Sequence, residues 1–209
     1  MCIRDRGIHN NPNKINDYDF EDKYQNFSRI HVDGQIKIEI TQGEKFSTKL
    51  TGRDQYLRKV EVEQFNDVLK VSTDLKRTSA PIRLYVTLPS LTEIDLEHTD
   101  DVKLKGFKEP AMTIRNESRS DIKAYVDVDD LLIKLEGRNE LDIRGKGKKM
   151  KVYLDDAATL DAERFAVDIA DIKADERSKA SLAVADTLRQ RLSGNSRVKV
   201  DGEPVILEE

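Results

Sequence analysis

Ile133-Lys134-Leu135, then Glu136-Gly137-Arg138-Asn139-Glu140, then Leu141-Asp142-Ile143 is the stretch on which the fold reading turns. Two apolar residues flank an outward lysine, five polar residues make a turn, and two more apolar residues flank an outward aspartate. Such period-two alternation marks strands with one buried face. Working outward, the same phrase appears as Ile94, Leu96, Val102, Leu104 and as Ile114, Asn116, Ile122, Ala124. It returns as Val152, Leu154, Leu160, Ala162, as Ile172, Ala174, Ala180, Leu182, and in a weaker last copy with Leu192, Val198 and Val200. The residues before the turns stand at 96, 116, 135, 154, 174 and 192, giving spacings of 20, 19, 19, 20 and 18.

A strand repeat of this period, without a helical half, predicts one solenoid coil per repeat. A single coil cannot bury its apolar side chains, whereas stacked coils enclose a narrow continuous core. Six coils about 4.8 Å apart make a column roughly 29 Å long. The Leu-x-x-Leu-x-Leu-x-x-Asn framework of leucine-rich repeats is missing. Before the repeats the alternation persists in Ile36, Ile38, Ile40, then in Phe46, Thr48, Leu50, and in Ile82, Leu84, Val86, Leu88 up to Pro89. Val60 and Val62 lead through Phe65-Asn66-Asp67 to Val68, Leu69 and Val71, which reads as a hairpin because Asn and Asp tolerate tight-turn geometry. A helical turn is expected only near 51–57. The division follows: a disordered or appended tail over 1–26, and one solenoid domain over 27–207, with N-terminal strands and hairpin at 27–90, repeat coils at 91–200 and a C-terminal cap at 201–209.

Composition narrows the function. The 209 residues hold 36 Lys and Arg against 40 Asp and Glu, for a net charge of −4, so the broad cationic field that nucleic acid requires is missing. With 36% charged and 37% hydrophobic residues, a slender fold suits the chain better than a thick core. No apolar run reaches the roughly 18 residues of a membrane span. Cys2 is the single cysteine, so no intrachain disulfide is expected, and the first residues carry no signal-peptide pattern.

Stacking turns single residues into rows. The outward position after each turn reads Lys103, Lys123, Asp142, Asp161, Ser181, Lys199. Asp142 above Asp161 is a pair that can raise one carboxyl pKa or share a cation, with Lys123 as the counter-charge. Polysaccharide-cleaving solenoids use acids in this manner, so a lyase or hydrolase is the alternative to a binding module. The outward position before each turn reads Asp95, Arg115, Lys134, Tyr153, Lys173, Arg191, mostly basic and suited to an anionic glycan or to plain solvation. Asp142, Asp161, Lys123 and Tyr153 are thus the candidate binding residues, with no catalytic or metal residue assigned. His9, His31 and His98 are widely separated and match no ligand spacing, so His98 is expected as a solvated turn residue. Gly145-Lys146-Gly147-Lys148-Lys149 lacks the rest of a phosphate-binding motif and is expected as a solvated loop. Asn116 falls on an inward position and is expected to bond backbone groups, with no second Asn from a neighbouring coil.

Four segments together resemble a known family: Ile36-x-Ile38-x-Ile40-Thr41-Gln42-Gly43, the Leu88-Pro89-Ser90-Leu91 junction, Leu192-Ser193-Gly194-Asn195-Ser196, and Gly202-Glu203-Pro204. From about Phe27 to Pro204 the chain is similar to the auto-transporter adhesin head GIN domain family. That resemblance implies an exported bacterial protein with a fold shared with pectin lyases, without catalytic residues, and a role in adhesion or surface binding. The family's Ser-Gly-x-Ser turn is kept here only at Ser193-Gly194-Asn195-Ser196. The combined expectation is all-β: a right-handed single-stranded β-solenoid with about 20 residues per coil, preceded by a strand-rich part. Its expected role is a non-enzymatic extracytoplasmic module at the periplasm or cell surface, binding a glycan or cell-surface component, with no cofactor, no nucleic acid and no membrane span. A monomer or weak side-by-side oligomer is expected, since covered ends resist stacking.

Overall fold

The computed structural model describes residues 14–20 and 23–208. Strands account for 68% of it and helix for 2%, so the all-β expectation holds. In chain order the elements are β1 (Ile15–Asp19), β2 (Arg29–Asp33), β3 (Ile36–Gln42), β4 (Ser47–Arg53), α1 (Asp54–Leu57), β5 (Glu61–Phe65), β6 (Val68–Ser72), β7 (Ile82–Leu88) and β8 (Glu93–Glu97). There follow β9 (Val102–Asn116), β10 (Asp121–Glu136), β11 (Glu140–Asp155), β12 (Thr159–Ala174), β13 (Lys179–Leu192), β14 (Arg197–Asp201) and β15 (Val205–Glu208). The expected tail lies mainly outside the described residues, but Ile15–Asp19 is the paired strand β1.

The solenoid is present, with about six turns and parallel bridges roughly 20 residues apart. Its register is the repeat of the sequence. Leu96 pairs with Asn116, Asn116 with Leu135, Leu135 with Leu154, Leu154 with Ala174, and Ala174 with Leu192. Each long strand from β9 to β13 runs up one face, bends at a corner and returns along a second face. The five-residue turns then carry it to the next coil. Inward Ile, Leu and Val from successive coils stack, and the alternation of burial along β10 follows its alternation of apolar residues.

Below the first repeat, chain order and spatial order part. β2 and β3 form a coil of their own, pairing in parallel with β8 and β9. Their other edges take β6 and β7, also in parallel, as one more coil. The chain thus builds β2–β3, leaves to lay a coil beneath it, and climbs back to β8. Antiparallel strands close that end: β4 on β7, β1 on β4, and β5 on β6 through the expected Asn66-Asp67 hairpin turn.

The opposite end is different. Within the segment expected to cap the column over 201–209, β15 pairs in parallel with β13. Pro204 cannot donate a ladder hydrogen bond, but it stands before the strand and leaves it free to pair. Every residue of β15 is exposed, and β14 alternates between exposed and half-buried.

Two further expectations are corrected. Residues 145–149 are not a loop; they lie inside β11. Gly145 has φ +132°, and a Cβ there would strike the Val126 carbonyl, while a Cβ at Gly147 would meet the Val128 carbonyl and stand 3.0 Å from the Phe165 ring. The glycines let fully buried Phe165 of the next coil fill the corner. Asn116 does bond locally, its Oδ1 accepting from the Ser118 backbone N–H at 3.0 Å and from Ser120 Oγ at 3.3 Å. Yet a neighbouring coil does supply a second Asn: Asn139 Nδ2 donates to the Ser118 carbonyl at 3.0 Å and to the Asn116 carbonyl at 3.3 Å. Because Asn139 stands in a turn and not on an inward strand position, its role is invisible to the strand alternation.

Candidate functional site

On the face that follows the turns, the strand register puts Lys123, Asp142 and Asp161 side by side in one row. Asp142 is held by arginines: Arg144 Nη2 donates at 2.9 Å and Nε at 3.3 Å, and Arg164 approaches to 3.6 Å. Hydrogen bonding from Arg144 holds the Asp142 carboxyl below its ordinary pKa, against the opposing effect of its partial burial. The expectation that the paired acids push one pKa up therefore fails at Asp142, because sequence alignment of rows could not show Arg144 reaching back two residues. Asp161 Oδ1 accepts the Glu163 backbone N–H at 3.2 Å. The Arg144 guanidinium also lies 5.4 Å from the centre of the exposed Tyr125 ring. Asp142 is a charge-compensated carboxylate, unsuited to the role of a protonated general acid.

Tyr153 stands elsewhere. It lies on the face that precedes the turns, in the row Asp95, Arg115, Lys134, Tyr153, Lys173, Arg191, each paired in register with the next. Lys134 and Lys151 place their ammonium groups 5.5 and 5.4 Å from the ring centre. An open groove of about 300 Å³ runs here, lined by Arg115, Lys134, Tyr153 and Lys173 and by the carboxylates Glu117, Glu136, Asp155 and Asp175. These acids belong to a row at the first turn position, where Glu136 pairs with Asp155. The structure thus groups three of the four candidates and separates the fourth.

Sequence reasoning missed Glu109, a buried carboxylate that accepts from Ser90 Oγ at 2.8 Å and from the Leu91 backbone N–H at 3.0 Å. Gln42 Nε2 reaches the Pro89 carbonyl at 2.9 Å. Glu109 therefore ties down the Leu88-Pro89-Ser90-Leu91 junction, a role of architecture. Ser196 of the Ser-Gly-x-Ser turn likewise donates to the Ala174 carbonyl of the preceding coil at 2.7 Å, so this hydroxyl serves the stack. His98 is exposed as expected, but its Nδ1 stands 2.9 Å from Asp33, and His31 Nδ1 stands 3.2 Å from Asp95. The β2–β8 pairing joins these segments across the chain excursion.

Residues 26–204, nearly all of the column, match the model of the family described as "Putative auto-transporter adhesin, head GIN domain". The chain belongs to this family. The GIN-domain fold also connects it to solved structures. A protein named a putative adhesin from Bacteroides fragilis superposes with a TM-score of 0.75 at 14% identity, covering 94% of this chain and 97% of that one. Another from Parabacteroides merdae gives a TM-score of 0.65 at 13% identity over 94% and 96% of the two chains. A protein named a putative lipid binding protein from Parabacteroides distasonis gives 0.59 at 11% identity over 93% and 94%. At such identities the likeness establishes the fold alone. Among curated proteins none matches. No helix among the described residues is long and apolar enough to cross a membrane.

Proposed function

We propose that this GIN domain is a non-enzymatic extracytoplasmic binding module that holds an anionic glycan or other cell-surface polymer along the face before the turns. The observation that carries this reading is the groove in which Tyr153 stands in a row with Arg115, Lys134 and Lys173, beside a row of carboxylates at the same spacing. A tyrosine face is a stacking platform for a sugar ring, and cations at the coil spacing meet acidic groups along a chain. The row repeats with the coils, which favours an extended polymer over a compact ligand. Membership of an adhesin-named family supports placement at the periplasm or cell surface.

A glycan-array screen of the purified chain tests it, with Tyr153→Ala and Lys134→Ala as controls. Binding to acidic glycans that falls in both variants supports the groove; binding that neither variant weakens removes it. The enzyme reading rests on Asp142 and Asp161, and the lowered pKa of Asp142 favours the binding reading over it. Cleavage of an acidic polysaccharide that disappears in Asp142→Asn would reverse that choice.

A further inference from the structure

Two histidines and three carboxylates meet where the first repeat coil lies on β2. His31 and Asp33 come from β2, Asp95 and Glu97 from β8, and His98 from the turn that follows. The parallel register sets His31 beside Asp95 and Asp33 beside Glu97. One oxygen or nitrogen from each of His31, Asp95 and Glu97 lies within 4.8 Å of the other two, and the same is true of Asp33, Glu97 and His98. Glu97 is common to both groups, and among the described residues none donates a hydrogen bond to its carboxylate.

The permanent cations nearby are mostly engaged elsewhere. Arg29 is bonded to Asp67 at 2.8 Å, Arg115 to Glu93 at 3.2 Å and Lys37 to Asp101 at 2.9 Å. Lys70 flanks His31 from β6 in register and is exposed. Three carboxylates therefore face two imidazoles as their near neighbours. The spacings of 2.9 Å for His98–Asp33 and 3.2 Å for His31–Asp95 match neighbouring ligands around one ion. Bonds of about 2.1 Å set adjacent ligands roughly 3.0 Å apart in an octahedron and roughly 3.4 Å apart in a tetrahedron. His98 holds φ at 53°, a left-handed conformation that Gly137, Asp156, Glu176 and Gly194 share at the same turn position. The His98 imidazole points to Asp33 from this turn.

We propose that Glu97, flanked by His31 and Asp95 on one side and by Asp33 and His98 on the other, anchors a divalent transition-metal site, with zinc as the best-fitting ion. Imidazole with carboxylate suits zinc, whereas calcium and magnesium take oxygen ligands. The site clamps β2 to β8, where the chain rejoins the column after its excursion. Because His98 is 77% exposed, the bound ion keeps a side open to an outside ligand.

The test is calorimetric titration of the tag-free full chain with zinc chloride, in a Cys2→Ser, His9→Gln background that removes the remaining thiol and imidazole. Saturable binding is expected, weakened about tenfold or more in Glu97→Gln and in the His31→Gln, His98→Gln double variant. Calcium and magnesium chlorides are expected to give no comparable binding. In the background chain, zinc should also shift the imidazole nitrogen resonances of both His31 and His98, a readout independent of how the variants fold. No saturable zinc binding, or binding that moves neither imidazole, overturns the site and leaves two surface ion pairs.

Discussion

The two ends of the column are built from the same coil and finished in opposite ways. At the lower end β4 and β5 run antiparallel to the coil strands β7 and β6 and occupy the edges that parallel stacking leaves open, and β1 is added antiparallel to β4. Phe27 lies there almost wholly buried, with its ring centre 5.0 Å from that of Phe46. At the upper end β14 and β15 lie on β13 with no described strand beyond them, and Leu192, Val205, Ile206 and Leu207 remain exposed. A solenoid coil gains stability from both neighbours, so a coil with one neighbour holds only part of it. The difference teaches that the repeat specifies the interior of the column, while each end depends on what the chain lays across it.

The strongest way to break this comparison is to truncate one apolar side chain at each end. Phe27→Ala is expected to cost about 3–5 kcal/mol, because it removes a buried ring and leaves a cavity. Leu207→Ala, at a residue 42% exposed, should cost less than about 1 kcal/mol. Denaturant unfolding of both variants checks this, and similar losses at the two positions would show that the upper end is covered as well as the lower.

A smaller effect separates the ends by pH. Asp54 in α1 accepts from Tyr18 at 2.9 Å and Asn16 at 3.0 Å, which binds β1 to the cap, and from Arg58 at 2.8 Å. Burial pushes its carboxyl up, and these three hydrogen bonds together hold it below the ordinary range. A depressed folded pKa means stability that is complete above the unfolded value of about 4 and is lost as pH falls through the folded one. Asp54→Asn should therefore melt lower at neutral pH, by about 1–3 kcal/mol, and lose less on acidification, so that its melting curve against pH converges with the parent's. Glu163 at the open end is also lowered, by its hydrogen bond from Lys199, but the pair is solvent-exposed. Glu163→Gln should follow the parent at every pH, and a flattening as large as that of Asp54→Asn would contradict the contrast.

The column was legible in the sequence because its inward rows obey one rule at every coil: each anchor from Leu96 to Leu192 pairs with the next. The placement of β6–β7 beneath β2–β3 was not legible, since alternation marks a strand without naming its neighbours. Rows of outward residues were readable to the same extent, and Lys123, Asp142 and Asp161 do align. What those residues touch was not, because Arg144 bonds along its own strand to Asp142. His31 and His98 escaped for a topological reason: their meeting depends on β2 pairing with β8 across an excursion that contains five other strands and α1.

The smallest expected effect is association through the open end, and it sharpens the comparison because the capped end should show none. Strand edges that no described strand pairs, beside exposed Val205, Ile206 and Leu207, favour pairing with a second copy. Charge opposes it. If two copies meet tail to tail with β14 antiparallel and centred, Arg197 faces Asp201, but Lys199 faces its own counterpart. Like charges directly opposite on paired strands are destabilising. Light scattering with size-exclusion chromatography should accordingly find a monomer at micromolar concentration. Lys199→Thr, which removes the repulsion and adds a strand-favouring side chain, should shift the chain measurably towards a dimer, and Leu207→Asp in that background should reverse the shift. Long polymers of the parent chain would show that the lysine does not guard the edge. A dimer that Lys199→Thr leaves unchanged would place self-association on another surface and remove the open end from the account.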